Sequence, residues 1–453
     1  MKTRVRAWHG GLAVVALASL SLLSGCGGGA DAIEAPSGKN AQVQSQSGGS
    51  PASNPVYDWN LLALDAVRTG LLSDAQAARL YAMVNVAMYD AVNGIVSKTG
   101  IPRKPALVGI AAAPQNGDPS AAASAAACAV LSQLRPALAP LYQAKLAADL
   151  AAIPDGSAET DGVAWGTSVG NQVVTLRQGD SSSPSVVQSA GTGVGLFRAQ
   201  WSGVQFRNLV PFAIASAAPY VSSGPPAPSS VAYGLAYTEV STLGNAAVID
   251  LGLLETYVFW ASGTGTVQPP GEWLKVAMTV SAAQGDSLAD SARLFALLGM
   301  AMADAVAPTF MAKYIYRFWR PTTAVQEGAL DGNLVTLPNA GWVPRGGTPG
   351  SSPEHVSGHS AFAGAATTIL RGYFCSDLIG FSLQTDGAPN GPRSYLNFSA
   401  AESEAGRSRV YGGLHFEFSN QAGNQTGRGV AGEVLGTALL RTQGGTHSGS
   451  CPL

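Results

Sequence analysis

The chain has 453 residues, of which 46% are hydrophobic and 12% charged, and its formal net charge is −2. This composition excludes an intrinsically disordered chain, and the balanced charge excludes a basic protein that binds nucleic acid through phosphates. The length allows one large domain, or two ordinary ones, with a sizeable core.

The first 25 residues have the features of an export signal. A basic start is followed by an apolar run from Gly11 to Leu23, shorter than the ~20 residues of a membrane span, and then by "LSGC". This ending is typical of a bacterial lipoprotein and predicts lipid attachment to Cys26, with an ordinary secretion signal or a short membrane anchor as alternatives. We therefore expect an exported protein, lipid-anchored to a bacterial envelope membrane, with residues 26–55 as a flexible Gly/Ser linker.

Downstream of the linker, apolar residues between positions 80 and 92 recur at the 3.6-residue spacing of a helix. Ser73 and Gln76 precede them in the arrangement of a capping box, which predicts a helix start. Similar patterns recur in three segments, 120–132, 160–178 and 291–306. Convincing alternating strands are not found, so we predict an all-α fold.

Stretches rich in proline, glycine and serine separate the predicted helices and indicate long surface connections, at 180–230, 262–271 and 332–354. Neither an internal repeat nor a second boundary signature interrupts the sequence. We therefore expect one large helical bundle, a single catalytic domain over residues 56–441, followed by a C-terminal tail at 442–453.

The cysteines beyond Cys26 are Cys128, Cys375 and Cys451. An exported protein permits a disulfide, and Cys375 with Cys451 is our hypothesis, although spacing alone does not determine the pairing. Cys128 lies in an Ala-rich run, which favours a small buried side chain over a chemical role.

The segment "KYIYRFWRP" places Lys313 and Arg320 seven residues apart, so a helix would present both cations on one face. Pro321 would then end that helix. Aromatic residues, Trp319 among them, alternate with the charges. This pattern favours a pocket wall over a solvated basic helix.

The segment "SSPEHVSGHS" holds two of the five histidines, His355 and His359. Pro353 and Gly358 predict a loop, and "SAFAGAATTIL" predicts a helix directly after it. Backbone N–H groups at a helix start make an anion site, to which Ser357 would add a hydroxyl group.

The segment "SRVYGGLHFEF" combines Arg409 with His415. Gly412 and Gly413 would break any helix between them, so the histidine can open a new helix while the arginine ends the previous one. The three segments together supply three cations, hydroxyl and amide donors, and histidines. A tetrahedral oxyanion requires such a set, because arginine forks match its oxygens and glycine allows close backbone approach.

The combined spacing, Lys-x6-Arg-Pro, then Ser-Gly-His, then Ser-Arg-x5-His, is far more specific than any single element. It resembles the superfamily that unites type 2 phosphatidic acid phosphatases, bacterial acid phosphatases and vanadium-dependent haloperoxidases. The stretches "ARLYAMVNVAMYDAVNGI", "FWRPTTAVQEG" and "GLHFEFSNQAG" resemble the bacterial vanadium haloperoxidases, over most of residues 57–440. The resemblance implies an all-helical bundle, in agreement with the helical patterns.

The resemblance also implies a bound vanadate. The groups that would hold its oxygens are Lys313, Arg320, Ser357, Gly358 and Arg409. His415 would be the apical ligand of the vanadium, and His359 the acid–base group for the proton of hydrogen peroxide. Vanadium would stay at +5 as a Lewis acid, so that halide attacks a peroxide oxygen and yields a hypohalous-acid-like species for a small organic acceptor.

Two alternatives use the same residues. A phosphatase of the superfamily would hydrolyse phosphate monoesters through a phosphohistidine at His415, with His359 protonating the leaving group. A non-catalytic lipoprotein would bind the oxyanion without turnover. The apolar segment 291–312 carries Arg293 and Asp304, which is unlike the spanning helices of the membrane-embedded phosphatases, so the haloperoxidase is favoured. The halide, the organic substrate and the oligomeric state stay open, and a homo-oligomer is compatible with the sequence.

Three positions depart from the family pattern. Relatives commonly have an aspartate four residues after the final histidine, and Ser419 stands here, which predicts weaker support for His415. Ser352 occupies the position linked to halide preference. His355 stands where relatives usually have an aromatic residue, and we interpret it as pocket wall rather than as part of an H-x3-H zinc site.

Two other features have ordinary explanations. "GTSVG" at 166–170 matches the elbow motif of serine hydrolases, but it lies in a helical pattern with no preceding strand. Asp304 is interpreted as a hydrogen-bonded core acid, with a bridge to the site arginines as the alternative.

Overall fold

Amphipathic and Ala-rich segments form helices throughout residues 54–98, 100, 102–388 and 391–442, which the computed structural model describes. The predicted signal peptide, the predicted lipidation site Cys26 and Cys451 lie outside these ranges. Pro55, the last residue of the predicted linker, is already the first residue of a helix. The predicted all-α class is confirmed.

Within the described residues, the regular secondary structure is helical apart from two short antiparallel strand pairs. The helices are α1 (Pro55–Gly70), α2 (Asp74–Val96), α3 (Pro119–Leu134), α4 (Ala139–Leu150), α5 (Ser157–Leu176), α6 (Val231–Leu243), α7 (Leu251–Trp260), α8 (Gln268–Gln284), α9 (Leu288–Asp304), α10 (Val306–Tyr316), α11 (Pro321–Gln326), α12 (Gly358–Phe374), α13 (Phe398–Tyr411) and α14 (Glu417–Thr437). The strands are β1 (Val187–Gln188), paired with β2 (Trp201–Ser202), and β3 (Phe381–Leu383), paired with β4 (Arg393–Tyr395).

Helix α2 begins at the predicted capping box. The Ser73 side chain accepts a hydrogen bond from the Gln76 backbone N–H, and the Gln76 side chain accepts one from the Ser73 N–H at 3.0 Å. Almost every residue of α2 after the first turn is buried, because the helix packs against α3, α5 and α9. Helix α2 is therefore a central element of the core.

Glycines let α5 pack closely on α3. A Cβ atom on Gly166 would lie 2.1 Å from the Ala122 carbonyl oxygen, and one on Gly170 would lie 2.6 Å from that of Ala126. Any larger side chain would push the helices apart. The "GTSVG" stretch lies within α5, as its helical pattern predicted, and its two glycines contact α3.

A second close pair positions the candidate site. Helices α12 and α14 pack side by side, and a Cβ atom on Gly427 would lie 2.0 Å from the Ala361 carbonyl oxygen. Both helices also pack on α9. This arrangement brings the N-terminus of α12 close to the N-terminus of α14.

The connection 180–230 was predicted to lie on the surface, but part of it is buried. Phe206 and Phe212 are buried, and the Asp304 carboxylate accepts hydrogen bonds from the backbone N–H groups of residues 212–214 at 2.6 to 3.0 Å. Asp304 is thus the hydrogen-bonded core acid that was expected. It attaches this connection to α9, because a buried carboxylate and buried N–H groups both require partners.

One helical stretch of the described residues, Leu288–Tyr316, is long and apolar enough to cross a membrane, but its apolar window is 94% buried inside the protein. This burial is typical of a core helix. Cys375 is disulfide-bonded and Cys128 is buried and free. The pairing of Cys375 with Cys451 stays a prediction.

Candidate active site

The predicted helix joining Lys313 and Arg320 is wrong in one respect. Helix α10 ends at Tyr316, because Arg317 adopts a left-handed conformation with φ 46° and donates its N–H to the Lys313 carbonyl. Pro321 then begins α11 instead of ending a helix, in keeping with the preference of proline for a first helical turn.

Both cations still reach the same loop. The Lys313 Nζ donates a hydrogen bond to the Pro353 carbonyl at 2.5 Å, and the Arg320 Nε donates one to the Ser352 carbonyl at 2.8 Å. Gly350 allows the close approach, since a Cβ atom there would lie 2.7 Å from the Arg320 guanidinium carbon. The 350–353 loop therefore fixes the direction of both side chains.

Helix α12 begins two residues before the stretch that predicted it. Ser357 is its N-cap, and the Ser357 hydroxyl accepts hydrogen bonds from the backbone N–H and the hydroxyl of Ser360. Gly358 and His359 are the first helical residues and line a cavity, whereas Ser357 is fully buried behind them. The contribution of the Ser357 hydroxyl to anion binding stays a prediction.

The predicted break between Arg409 and His415 is present. Helix α13 ends at Tyr411, and α14 begins at Glu417. Gly413 has φ 73°, and a Cβ atom there would lie 2.7 Å from the Gly244 carbonyl oxygen, so only glycine fits this turn. His415 is thereby placed just before α14, facing Arg409 and Arg320.

One cavity of about 590 Å³ joins residues from all three sequence motifs. The predicted site residues that line it are Lys313, Arg320, Ser352, Gly358, His359, Arg409 and His415. Trp319 and His355, also predicted as pocket wall, are fully buried and do not belong to this lining. They lie in the packed interior behind the cavity.

The imidazole of His415 has a carboxylate partner that the sequence analysis missed. Its Nδ1 lies 3.0 Å from the Glu354 Oε1, which also accepts the Phe416 backbone N–H at 2.9 Å. The other carboxylate oxygen accepts the Ser419 hydroxyl at 2.6 Å. Since Glu354 has no proton to donate when charged, it holds the His415 proton on Nδ1 and leaves the Nε2 lone pair to accept from the Arg320 Nη1, 3.0 Å away.

The expected weakness at Ser419 is therefore offset by Glu354. No pattern around Glu354 predicted this contact, because the residue lies in a loop 61 positions before the histidine. The one available signal was indirect: a buried imidazole lacking its usual aspartate needs another carboxylate, and Glu354 is the single acid in the segment 351–360.

His355 extends this support away from the cavity. Its Nδ1 lies 2.8 Å from the Ser419 hydroxyl, and its Nε2 lies 2.8 Å from the Ser222 hydroxyl. Burial, with a smaller effect of Lys313, lowers the pKa of His355 to about 3, so the ring is neutral. Within the described residues, no group of three His, Cys, Asp or Glu side chains could hold a metal ion.

His359 lies on the cavity side. Its Nε2 lies 3.1 Å from the Ala261 carbonyl, which can only accept, so Nε2 carries the proton and Nδ1 a lone pair. Burial and then the charge of Arg409 hold the pKa of His359 well below its usual value. Burial and then the nearby cations, led by Arg320, also hold the pKa of His415 well below its usual value. Both rings are therefore neutral bases.

The electrostatic balance of the cavity is positive. The Nε and Nη1 groups of Arg409 are buried and have no hydrogen-bond partner, and its guanidinium lies 5.4 Å from the Tyr257 ring centre. Burial lowers the pKa of Arg409 and of Arg320 to about 10, and it also lowers that of Lys313. A buried charge without a partner is costly, so an anion bound beside Arg409 would stabilise this arrangement.

Comparison with known proteins points to the same fold. Residues 293–444 match the family model described as the VCPO second helical-bundle domain. The structure is similar to that of the first bacterial vanadium-dependent iodoperoxidase, with a TM-score of 0.72 and 20% sequence identity, over 87% of this chain and 100% of that one. A holo-type bacterial vanadium-dependent chloroperoxidase gives a TM-score of 0.57 at 14% identity, over 80% of this chain and 92% of that one. No curated protein sequence matches the chain significantly.

The class of the protein follows from these findings: it is a helical protein with the fold of the bacterial vanadium haloperoxidases. Residues 293–444, which contain every predicted anion-binding residue, match the model of the second helical-bundle domain of that family. The family resemblance that the three motifs predicted is confirmed.

Proposed function

We propose that the protein is a vanadate-dependent haloperoxidase, which oxidises halide with hydrogen peroxide to a hypohalous-acid-like halogenating species. The observation that carries the proposal is the environment of Arg409 and His415. Arg409 and His415 line one cavity, two buried side-chain nitrogens of Arg409 have no hydrogen-bond partner, and Glu354 holds the Nδ1 of His415. An oxyanion whose central atom can still bind a nitrogen ligand would satisfy all of these groups, because its oxygens accept from Arg409 and its central atom accepts the Nε2 lone pair.

The residues present fit vanadate. Arg409, Arg320 and Lys313 would bind its oxygens together with the backbone N–H of Gly358 at the N-terminus of α12. The Nη1 of Arg320 now lies 3.0 Å from the His415 Nε2 and would exchange that contact for an oxyanion oxygen. His415 Nε2 would then be the ligand of the metal. When bound, vanadate supplies a Lewis acid that activates hydrogen peroxide for attack by halide.

His359 would handle the proton of hydrogen peroxide. A neutral imidazole accepts a proton, and the cations around His359 disfavour its charged form, so it would release the proton again readily. The Ala261 carbonyl fixes the ring through Nε2 and leaves Nδ1 as the base. A small organic acceptor would receive the halogen. The cavity volume of about 590 Å³ is sufficient for one.

The cellular location is a second part of the proposal. The signal features of residues 1–25 and the "LSGC" ending favour an exported protein, lipid-anchored through Cys26. Mass spectrometry of the N-terminal peptide from the cell-produced protein should find a lipid-modified Cys26. An unmodified or earlier N-terminus would contradict the anchor without affecting the chemistry.

The test of the function uses two assays on the purified protein. One supplies orthovanadate, hydrogen peroxide and bromide or iodide, and follows halogenation of a dye. The other omits vanadate and follows hydrolysis of a chromogenic phosphate ester. We expect vanadate-dependent halogenation in the first assay and its loss in His415→Ala.

Other outcomes would identify the alternatives. Ester hydrolysis that vanadate inhibits would replace the haloperoxidase with a phosphatase acting through His415. Vanadate binding without turnover in either assay would indicate a binding protein. Retained halogenation in His415→Ala would contradict the ligand assignment.

A further inference from the structure

The cavity contains one acidic side chain that no part of the proposed function uses. Asp74 is the first residue of α2, far in sequence from the three motifs, yet it lines the cavity together with Lys313 and Gly358. A Cβ atom added to Gly358 would lie 3.4 Å from the Asp74 Oδ2. The carboxylate therefore lies beside the helix N-terminus that would bind the oxyanion.

The two oxygens of Asp74 have different surroundings. Oδ1 accepts the Ala75 backbone N–H at 2.8 Å. No hydrogen bond from another residue of the described chain is formed to Oδ2, which is left to the cavity. Burial raises the pKa of Asp74, and the neighbouring Lys313 opposes this effect. Oδ2 is thus an acceptor available to a bound molecule.

A carboxylate inside an anion site acts selectively. It accepts a hydrogen bond from an oxyanion oxygen that carries a proton, but it repels a bare, charged oxygen at the same place. Vanadate and phosphate carry such a hydroxyl group near neutral pH, whereas sulfate has the same tetrahedral shape and none. The charged groups around Asp74 (Lys313, and across the cavity Arg320 and Arg409) attract all three anions and do not make this distinction.

We propose that Asp74 is a specificity-determining residue of the oxyanion site, which selects oxyanions bearing a hydroxyl group over fully deprotonated anions of the same shape. The inference rests on the proposed function, because it takes the cavity to be an oxyanion site. Its consequence is that sulfate, in spite of its charge, does not block the site.

The test measures the dissociation constants of phosphate and sulfate at one pH and ionic strength, for the wild type and for Asp74→Asn. The amide keeps an acceptor for the Ala75 N–H and can donate to a bare oxygen. We expect the wild type to prefer phosphate, and Asp74→Asn to reduce that preference by about 10- to 100-fold, mainly through tighter sulfate binding. Asp161→Asn, which removes an exposed charge, should leave the preference unchanged.

Asp74→Glu tests the charge separately from the fold. It should retain a preference for phosphate, and both Asp74 variants should melt close to the wild type. An unchanged ratio of phosphate to sulfate affinity in Asp74→Asn would overturn the inference. Vanadate binding in the same wild-type sample keeps the two proposals apart: if vanadate binds and the ratio is unchanged, only the role of Asp74 fails, and if no oxyanion binds, the proposed function fails as well.

Discussion

The two sides of the His415 ring differ in how their polar groups are paired. We call the Nδ1 side the rear shell, formed by Glu354, Ser419, His355 and Ser222, in which one hydrogen bond follows another. The Nε2 side is the front cavity, where Arg409 keeps two buried N–H groups without partners.

This difference separates positioning from binding. A buried polar group paired by the protein contributes to the fold, whereas one left unpaired has a cost that only a ligand removes. We therefore expect rear-shell substitutions to reduce stability and front-cavity substitutions to reduce anion affinity at little cost in stability. Each of the following predictions tests that division.

Arg409→Met should have the largest effect on binding. It removes two charge-assisted hydrogen bonds to the oxyanion, so vanadate affinity should fall by about 100-fold or more. The free energy of unfolding should stay equal or increase, because an unpaired buried cation is removed. Calorimetric titration with vanadate and denaturant unfolding measure the two quantities.

Arg407→Met is the matched control on the same helix, since Arg407 forms ion pairs with Glu239 and Glu417 instead of facing the cavity. Its vanadate affinity should remain near that of the wild type. A stability loss in Arg409→Met of more than about 2 kcal/mol would contradict the division between front and rear.

Glu354→Gln should lower both the vanadate affinity and the free energy of unfolding. The glutamine amide oxygen can still accept from the Phe416 N–H and the His415 Nδ1–H, but the negative charge behind the imidazole is lost and the amide NH2 cannot accept the Ser419 hydroxyl, so vanadate affinity should fall by about 10- to 100-fold. The free energy of unfolding should fall by about 1–3 kcal/mol. Vanadate titration and denaturant unfolding of the same preparation check both values.

Asp304→Asn is the control for a buried acid without a site role. Its carboxylate accepts only backbone N–H groups, so we expect a comparable loss of stability and unchanged vanadate affinity. Equal losses of affinity in the two variants would mean that Glu354 acts only through the fold.

The charge of Lys313 should give the site a pH dependence of up to about tenfold per pH unit. Burial, followed by the charge of Arg320, lowers its pKa to about 7, and a bound anion would raise it. Below this pKa the ammonium form is already present and binding takes up no proton at Lys313; above it, binding must take up a proton and affinity falls. Lys313→Arg keeps its charge, so the ratio of wild-type to variant vanadate affinity should be constant below pH 7 and decrease above it. A ratio of wild-type to variant affinity that does not change with pH would contradict the lowered pKa of Lys313.

Moving the carboxylate from position 354 to position 419 should produce the smallest change in vanadate affinity. Ser419→Asp alone would place a second acid within hydrogen-bond distance of Glu354 and should destabilise the protein. In Glu354→Gln with Ser419→Asp, the aspartate stands four residues after His415, where the family resemblance implies one, and we expect a gain of about tenfold or less in vanadate affinity over Glu354→Gln alone. A double-mutant cycle on vanadate affinity measures the coupling, and purely additive effects would mean that position 419 cannot replace Glu354.

Local sequence patterns predicted much of the fold. The capping box at Ser73 and the apolar periodicity after it predicted α2, and the Gly412–Gly413 pair predicted the break before His415. The end of α10 at Arg317 was missed, because a left-handed residue other than glycine has no strong local signal and depends on tertiary contacts. Phe197, for example, donates its N–H to the Arg317 carbonyl from a distant connection.

The residues proposed to bind the anion could be selected from the sequence because they lie in three compact motifs, and the structure places most of them around one cavity. Glu354 and Asp74 could not be selected in this way, since each acts across a long sequence separation. Glu354 reaches His415 from a loop, and Asp74 has the ordinary appearance of an acid in the first turn of a helix. Only the structure shows that Asp74, at the start of α2, lines the cavity.

The most direct test of the account is a crystal structure of the protein with orthovanadate. We predict electron density for the oxyanion in the front cavity, bonded to the Nε2 of His415, with the two free N–H groups of Arg409 on its oxygens and with Glu354 still at Nδ1. Vanadate bound elsewhere, or a His415 Nε2 still paired with Arg320 beside an empty cavity, would contradict it.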